Sequence, residues 1–261
     1  MTPENKKQAI ANTWWTLIKQ YGQGVVTCGN DPALTVKAVS TGLSNLDAAL
    51  GIGGLPKGRI VEIHGPPGAG KTALALQLAH QVPTALYIDA DHGITPAQGE
   101  GLYMARADTL EAALDICETA AAAFDIIVID SLPALATEAE RAAELGQFKQ
   151  KQSTAAVLSR ALPRLSHTLA RYGCMLVIVT QLREKPGIVY GNPEFALGGQ
   201  ALKHYASVRL DVRTIQYMKT EDVVEGQELR VRVVKNKCGP QFRDVYGRIM
   251  FDTPGKMSTI S

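Results

Sequence analysis

The stretch Gly65-Pro66-Pro67-Gly68-Ala69-Gly70-Lys71-Thr72 constrains the fold more than any other part of the chain. An apolar run, Ile60-Val61-Glu62-Ile63, leads into it, and a run of helix formers from Ala73 to Ala79 follows. Its glycines let the backbone wrap an anion with N–H groups turned inward, and the helix opening at its end adds a favourable dipole. Lys71 is placed to reach β- and γ-phosphates, and the Thr72 hydroxyl to hold Mg²⁺. Strand, glycine-rich turn, Lys-Thr pair and helix stand in register, so all eight residues are expected to bind a nucleotide. A bare glycine turn before a helix would need only part of that pattern.

Around the octet the apolar runs repeat. Thr84-Ala85-Leu86-Tyr87-Ile88-Asp89, Phe124-Asp125-Ile126-Ile127-Val128-Ile129-Asp130 and Cys174-Met175-Leu176-Val177-Ile178-Val179-Thr180 read as strands. Ala107–Ala123 and most of Glu138–Arg171 have helical composition and period, with Gly146 and Pro163 expected to break or kink the second. Strands alternating with helices predict an α/β fold with a mostly parallel central sheet covered on both faces. Val208–Ile215, Leu229–Val234 and Phe242–Met250 read as later, antiparallel strands. Residues 182–197 lack periodicity and carry Pro and Gly, so they read as a mobile loop whose length points to function.

Ligands of such sheets lie at the carboxyl ends of the strands. The octet, Asp89 and Asp91, Asp130 and Gln181 all fall at predicted carboxyl ends, which joins four separate polar features into one candidate site. Asp130, after four aliphatic residues, suits Mg²⁺ binding beside Thr72; otherwise it is a turn aspartate before Ser131-Leu132-Pro133. Either Asp89 or Asp91 could activate the attacking water, or both could be solvated strand-end carboxylates. Gln181 is placed to sense a γ-phosphate and pass its presence to the loop beyond it. Arg183 and Lys185, near Tyr190 and Phe195, suit a groove for single-stranded nucleic acid, in which phosphates are neutralised and bases stack. A solvated charged loop is the competing reading. Lys235 and Lys237 share a face if their segment is a strand. They either blunt a sheet edge or act on a neighbour's triphosphate.

The 261 residues suit one large α/β domain, with or without a small appendage. A net charge of +2 gives no bulk attraction for nucleic acid, so any such site must be local. Cys28, Cys117, Cys174 and Cys238 form no Cys-x-x-Cys pair and are expected to be reduced thiols. No signal peptide is expected at the start, and no apolar run is long enough to span a bilayer. Residues from about 5 to 21 predict a helix with an apolar stripe of Ile10, Trp14, Leu17, Ile18 and Tyr21. That stripe must dock on its own domain or on another subunit.

The chain resembles the bacterial RecA recombinases from about residue 4 to about residue 250. The resemblance is carried by Ser40-Thr41-Gly42, the segment Gly53-Gly54-Leu55-Pro56 through Ile63, the octet, and Ile88-Asp89-Ala90 with His92. Val128-Ile129-Asp130-Ser131, Gly191-Asn192-Pro193-Glu194, Gly198-Gly199 with Ala201-Leu202-Lys203, Tyr205 through Asp211, and Val233-Val234-Lys235-Asn236-Lys237 extend it. It implies a RecA-type phosphate-loop ATPase core, residues 37–261, preceded by a helix and linker, residues 1–36, that dock on the next subunit. The chain stops where the family's C-terminal domain would begin, so none is expected here. The activity implied is Mg²⁺- and ATP-dependent assembly of a helical homo-oligomer on single-stranded DNA, which then pairs with a homologous duplex. DNA-dependent ATP hydrolysis, and a cytoplasmic, nucleoid-associated location, go with that activity. Asp91, Gln181, Lys235 and Lys237 take catalytic roles in this picture, the lysines across the subunit interface, and Arg183, Lys185, Gly198 and Gly199 belong to the DNA-binding loop. Asp91 stands where the family has a glutamate, Thr180 where it has an asparagine, Gln98 where it has a tyrosine and His204 where it has a phenylalanine. A non-catalytic paralogue that modulates another recombinase, and a related ring-forming ATPase, remain alternatives.

Overall fold

The computed structural model describes residues 2–22, 26–29, 31, 34–143, 153–184, 194–196, 199–221, 223–251 and 257–259. In chain order the elements are α1 (Pro3–Tyr21), β1 (Ala38–Val39), α2 (Ser44–Leu50), β2 (Leu55–Pro56), β3 (Ile60–Gly65), α3 (Lys71–Ala79), β4 (Ala85–Asp89), β5 (Tyr103–Ala105) and α4 (Leu110–Ala120). They continue with β6 (Ile126–Asp130), α5 (Glu138–Ala142), α6 (Thr154–Tyr172), β7 (Met175–Glu184), β8 (Glu194–Ala196), α7 (Gly199–Tyr205), β9 (Val208–Thr220), β10 (Val223–Asn236), β11 (Asp244–Met250) and β12 (Met257–Thr259).

The chain forms two compact units, Met1–Val36 and Lys37–Ser261. The first is built on α1. Thr2 caps it by accepting from the Asn5 N–H, Pro3 opens it, and Gly22 closes it at φ 94°. No residue of α1 is buried, and Ile10, Trp15 and Tyr21 are exposed.

The second unit is a sheet in the order β12-β11-β10-β9-β3-β7-β6-β4-β5, with β8 paired to β7. Pairings from β9 to β5 are parallel, and those from β9 to β12 antiparallel. The α/β class with a mostly parallel sheet is therefore observed. All residues of β3, β4 and β6 are buried, because parallel strands are covered on both faces and need near-continuous apolar sequence. One core cluster packs α2 and α3 on one face, through Leu46, Leu50, Leu74, Leu76 and Leu78. The other packs α4, α6 and α7 on the opposite face, through Leu110, Leu114, Leu158, Leu162 and Leu202.

Two expectations change. Of the break or kink expected at Pro163, the break does not occur: α6 runs through it for 19 residues. An interior proline costs about 3 kcal/mol, but Leu158, Leu162, Leu165 and Leu169 are buried on one stripe of α6, and each buried leucine returns roughly 1.5–3 kcal/mol. The loop expected over 182–197 is part sheet. β7 continues through Glu184 and pairs antiparallel with β8, Leu182 opposite Ala196 and Arg183 opposite Phe195. The basic and proline-containing composition hid that short hairpin, whose middle lies outside the described residues.

Candidate active site

Strand register creates the site. Gly65 at the end of β3 lies opposite Gln181 on β7, and Asp89 at the end of β4 lies opposite Asp130 on β6. The polar residues that interrupt each apolar run are thus neighbours along one edge. They border a cavity of about 280 Å³ whose wall includes Gly68, Lys71, Thr72, Asp91, Asp130 and Gln181. Gly68 and Gly70 adopt φ of 72° and 88°, a region open to glycine, and these two residues turn the loop back over the start of α3. Gly70 is the N-cap of α3, with no side chain capping it. The first-turn N–H groups are left for an anion.

The electrostatics fit a magnesium-bound polyphosphate. Burial pushes the Asp130 carboxyl above the ordinary aspartate range, and Asp91 adds to the push. Hydrogen bonds from Tyr87 and Thr72, and the Lys71 charge, pull it back. The Tyr87 hydroxyl donates to Asp130 Oδ2 at 2.7 Å. Burial pulls the Lys71 ammonium below the usual lysine range, against the attraction of Asp130 and Asp91. Its Nζ donates to the Pro66 carbonyl at 2.7 Å. Among the described residues no cluster of three or more His, Cys, Asp or Glu could hold a metal. Thr72, and Asp130 through water, would hold Mg²⁺, which would supply charge stabilisation to the phosphates.

The two candidate bases separate. Asp89 is buried and accepts from the N–H groups of Gly93 and Ile94, each at 3.1 Å, so it ties the turn after β4. Asp91 faces the cavity, and its Oδ2 accepts from Ser131 Oγ at 2.9 Å.

Lys235 and Lys237 do not line this cavity. Lys235 Nζ donates to the carbonyls of Lys203 and His204 at 2.6 and 3.0 Å, and Lys237 Nζ donates to that of His204 at 3.2 Å. Both ammonium groups therefore cap the end of α7. Arg183 continues β7 two residues beyond Gln181. Gly199 opens α7 at φ 66°, and a Cβ there would meet the Ala155 Cβ at 3.0 Å. Lys185 and Gly198 lie outside the described residues.

Sequence reasoning missed Tyr87, Ser131, Gln227 and Ile249. Tyr87 carried a signal: a hydroxyl inside a fully apolar strand must find a buried partner. Gln227 and Ile249 carried none, since they come from β10 and β11, strands remote in sequence.

Residues 8–255 match the family model of the RecA N-terminal domain. The chain belongs to the RecA family. It is 41% identical over 263 residues to Protein RecA of Mannheimia haemolytica, covering 95% of this chain and 71% of that protein. Protein RecA of Clostridium botulinum (strain Alaska E43 / Type E3) is also 41% identical, over 262 residues, with 95% and 73% covered. A crystal structure of the RadB recombinase aligns with TM-score 0.62 over 85% of this chain and all of that one. At 17% identity that likeness shows the RecA-like fold.

Proposed function

We propose that this chain is an ATP-dependent, single-stranded-DNA-binding filament protein that promotes homologous pairing and strand exchange in recombination and repair. RecA-family membership supports DNA-dependent ATP hydrolysis with Mg²⁺ as its chemistry. One observation carries the reading: a single strand, β7, holds Gln181 at the phosphate-loop cavity and Arg183 in the hairpin beyond it. A change at the γ-phosphate is transmitted along that strand to the DNA-contacting loop, which includes Lys185, Gly198 and Gly199. Asp91 orients and deprotonates the attacking water, and Lys71 neutralises the phosphates. Lys235 and Lys237 reach the triphosphate of a neighbouring subunit, and the stripe of α1 docks on that neighbour. Among the described residues no helix is long and apolar enough to cross a membrane. A cytoplasmic, nucleoid-associated location goes with that activity.

The test is ATPase rate with and without single-stranded DNA, paired with electron microscopy. Turnover should rise on adding single-stranded DNA, and filaments should form with ATP and Mg²⁺. Deleting residues 1–24 should abolish filaments and leave an ATP-binding monomer. Turnover indifferent to DNA together with closed rings would point to a different ATPase class.

A further inference from the structure

We propose that Gln227 is a positioning residue of the phosphate loop and sets how tightly the cavity holds the β- and γ-phosphates. The inference rests on the cavity being a nucleotide site. Gln227 lies on β10, which is separated from β3 by β9, and it is 4% exposed. Its carboxamide is committed on both ends. Nε2 donates to the Gly68 carbonyl at 3.2 Å, and Oε1 accepts from Thr214 Oγ1 at 3.2 Å. A Cβ on Gly70 would lie 2.6 Å from Ile249 Cδ1, 3.1 Å from Leu229 Cδ2 and 3.4 Å from Gln227 Nε2, so the loop rests directly on β10 and β11.

An anion-wrapping loop points its N–H groups inward, which turns carbonyls outward into protein, where each needs a donor. The Pro66 carbonyl takes Lys71 Nζ, and the Gly68 carbonyl takes Gln227 Nε2. When Lys71 turns to a phosphate, the Pro66 carbonyl keeps only the Ala69 N–H, at 3.4 Å, which lies within the loop itself. Gln227 is then the side chain that still holds the loop from outside. Thr214 fixes the amide orientation, because its hydroxyl satisfies the oxygen and leaves the nitrogen facing Gly68. A glutamate at 227 reverses this: it sets an acceptor against a carbonyl and adds negative charge beside an anion site.

The test uses the full chain with Gln227→Leu, Gln227→Glu and Thr214→Val, and Lys71→Ala as reference. Affinities for Mg-ATP and for tripolyphosphate, KM, kcat and Tm are measured. Gln227→Leu should weaken both ligands and raise KM by roughly 3- to 10-fold, the scale of one net hydrogen bond. Thr214→Val should act in the same direction and less. Gln227→Glu should weaken both most. In all three kcat should stay within about twofold, since no group at the reacting atoms changes. Unchanged affinities in the Gln227 variants, with Lys71→Ala impaired, would overturn the proposal alone. Loss of kcat and Tm in step with affinity would make Gln227 a scaffold residue and overturn it too. An unimpaired Lys71→Ala would remove the nucleotide reading beneath it.

Discussion

The strand-end cavity and the charged face of β9–β11 treat ionisable groups in opposite ways. On the β9–β11 face, charges pair with one another: Arg213 with Asp211 at 2.9 Å, Arg232 with Asp244 at 3.0 Å, and Arg248 with Glu228 at 2.8 Å. The Arg248 and Gln216 side chains hold the Glu228 carboxyl below its usual range, as ion pairing should. The pairing is not complete: Arg230 Nε, Arg232 Nε and Asp211 Oδ1 are buried with no hydrogen-bond partner among the described residues, so Arg232 and Asp244 attract by charge without hydrogen-bond geometry. At the cavity, burial dominates instead. Asp130 is pushed up and Lys71 pulled down despite each other's charge, so neither is fully compensated. Charges that satisfy one another hold a structure together. Charges left short of partners mark a place kept for a ligand.

Removing the cavity's cation should break the difference most visibly. Lys71→Ala is expected to weaken Mg-ATP binding by roughly 100-fold or more, because a charge-assisted contact to phosphate is lost. Folding should be retained, since burial disfavours the charged ammonium at this position. Calorimetric titration with ATP, with Tm measured alongside, checks both halves.

Asp91→Asn comes next. Asparagine keeps an oxygen for the Ser131 hydroxyl, so the geometry at 2.9 Å survives while the base does not. Turnover should fall by about 100-fold or more, the usual contribution of a general base, with ATP affinity unchanged. If the variant hydrolyses ATP at the parental rate, the proton goes elsewhere.

Legibility followed the same division. Strands β3, β4 and β6 were readable because burial on both faces forces continuous apolar sequence that ends abruptly in a polar residue. The register that sets Gly65 against Gln181, and Asp89 against Asp130, joins residues far apart in sequence, yet the shared carboxyl-edge rule anticipated it. What escaped depended on pairing. Nothing local distinguishes Asp89, which ties a turn, from Asp91, which faces the cavity. Nothing local says that Gln227 on β10 reaches the phosphate loop across β9, or that Lys235 and Lys237 meet the end of α7. The β7–β8 pairing escaped because it joins only Leu182–Glu184 to Glu194–Ala196, three residues each with apolar and charged types mixed, too short to show a period.

Asp130→Asn sharpens the comparison through stability. The buried carboxyl has a folded pKa above the ordinary 3.8. Between those two values the native state binds more protons than the unfolded chain, so stability falls as pH rises through that window and the loss is complete above it. Asparagine removes the penalty and can still accept from the Tyr87 hydroxyl. The apo variant should melt higher than the parent at neutral pH, by a few degrees at about 2–4 °C per kcal/mol for a domain of this size. It should match the parent near pH 3.8 and below. The extra stabilisation that Mg²⁺ gives with nucleotide should vanish in the same variant. A lower apo Tm would mean that the carboxylate is already compensated.

The smallest effect is expected on the paired face. Arg232 and Asp244 lie opposite each other on β10 and β11, with side chains 43% and 27% exposed. Water screens such a pair, so a double-mutant cycle through Arg232→Ala and Asp244→Ala should give a coupling of only about 0.2–1 kcal/mol. Nucleotide affinity should not change in any member of the cycle, because neither residue borders the cavity. The four proteins are compared by denaturant unfolding and by ATP titration. A coupling several times larger would show that partly exposed pairs on this face are held as tightly as buried ones. A changed ATP affinity would show that β10 transmits strain to Gln227, five residues from Arg232 on the same strand, and that the two regions are not energetically separate.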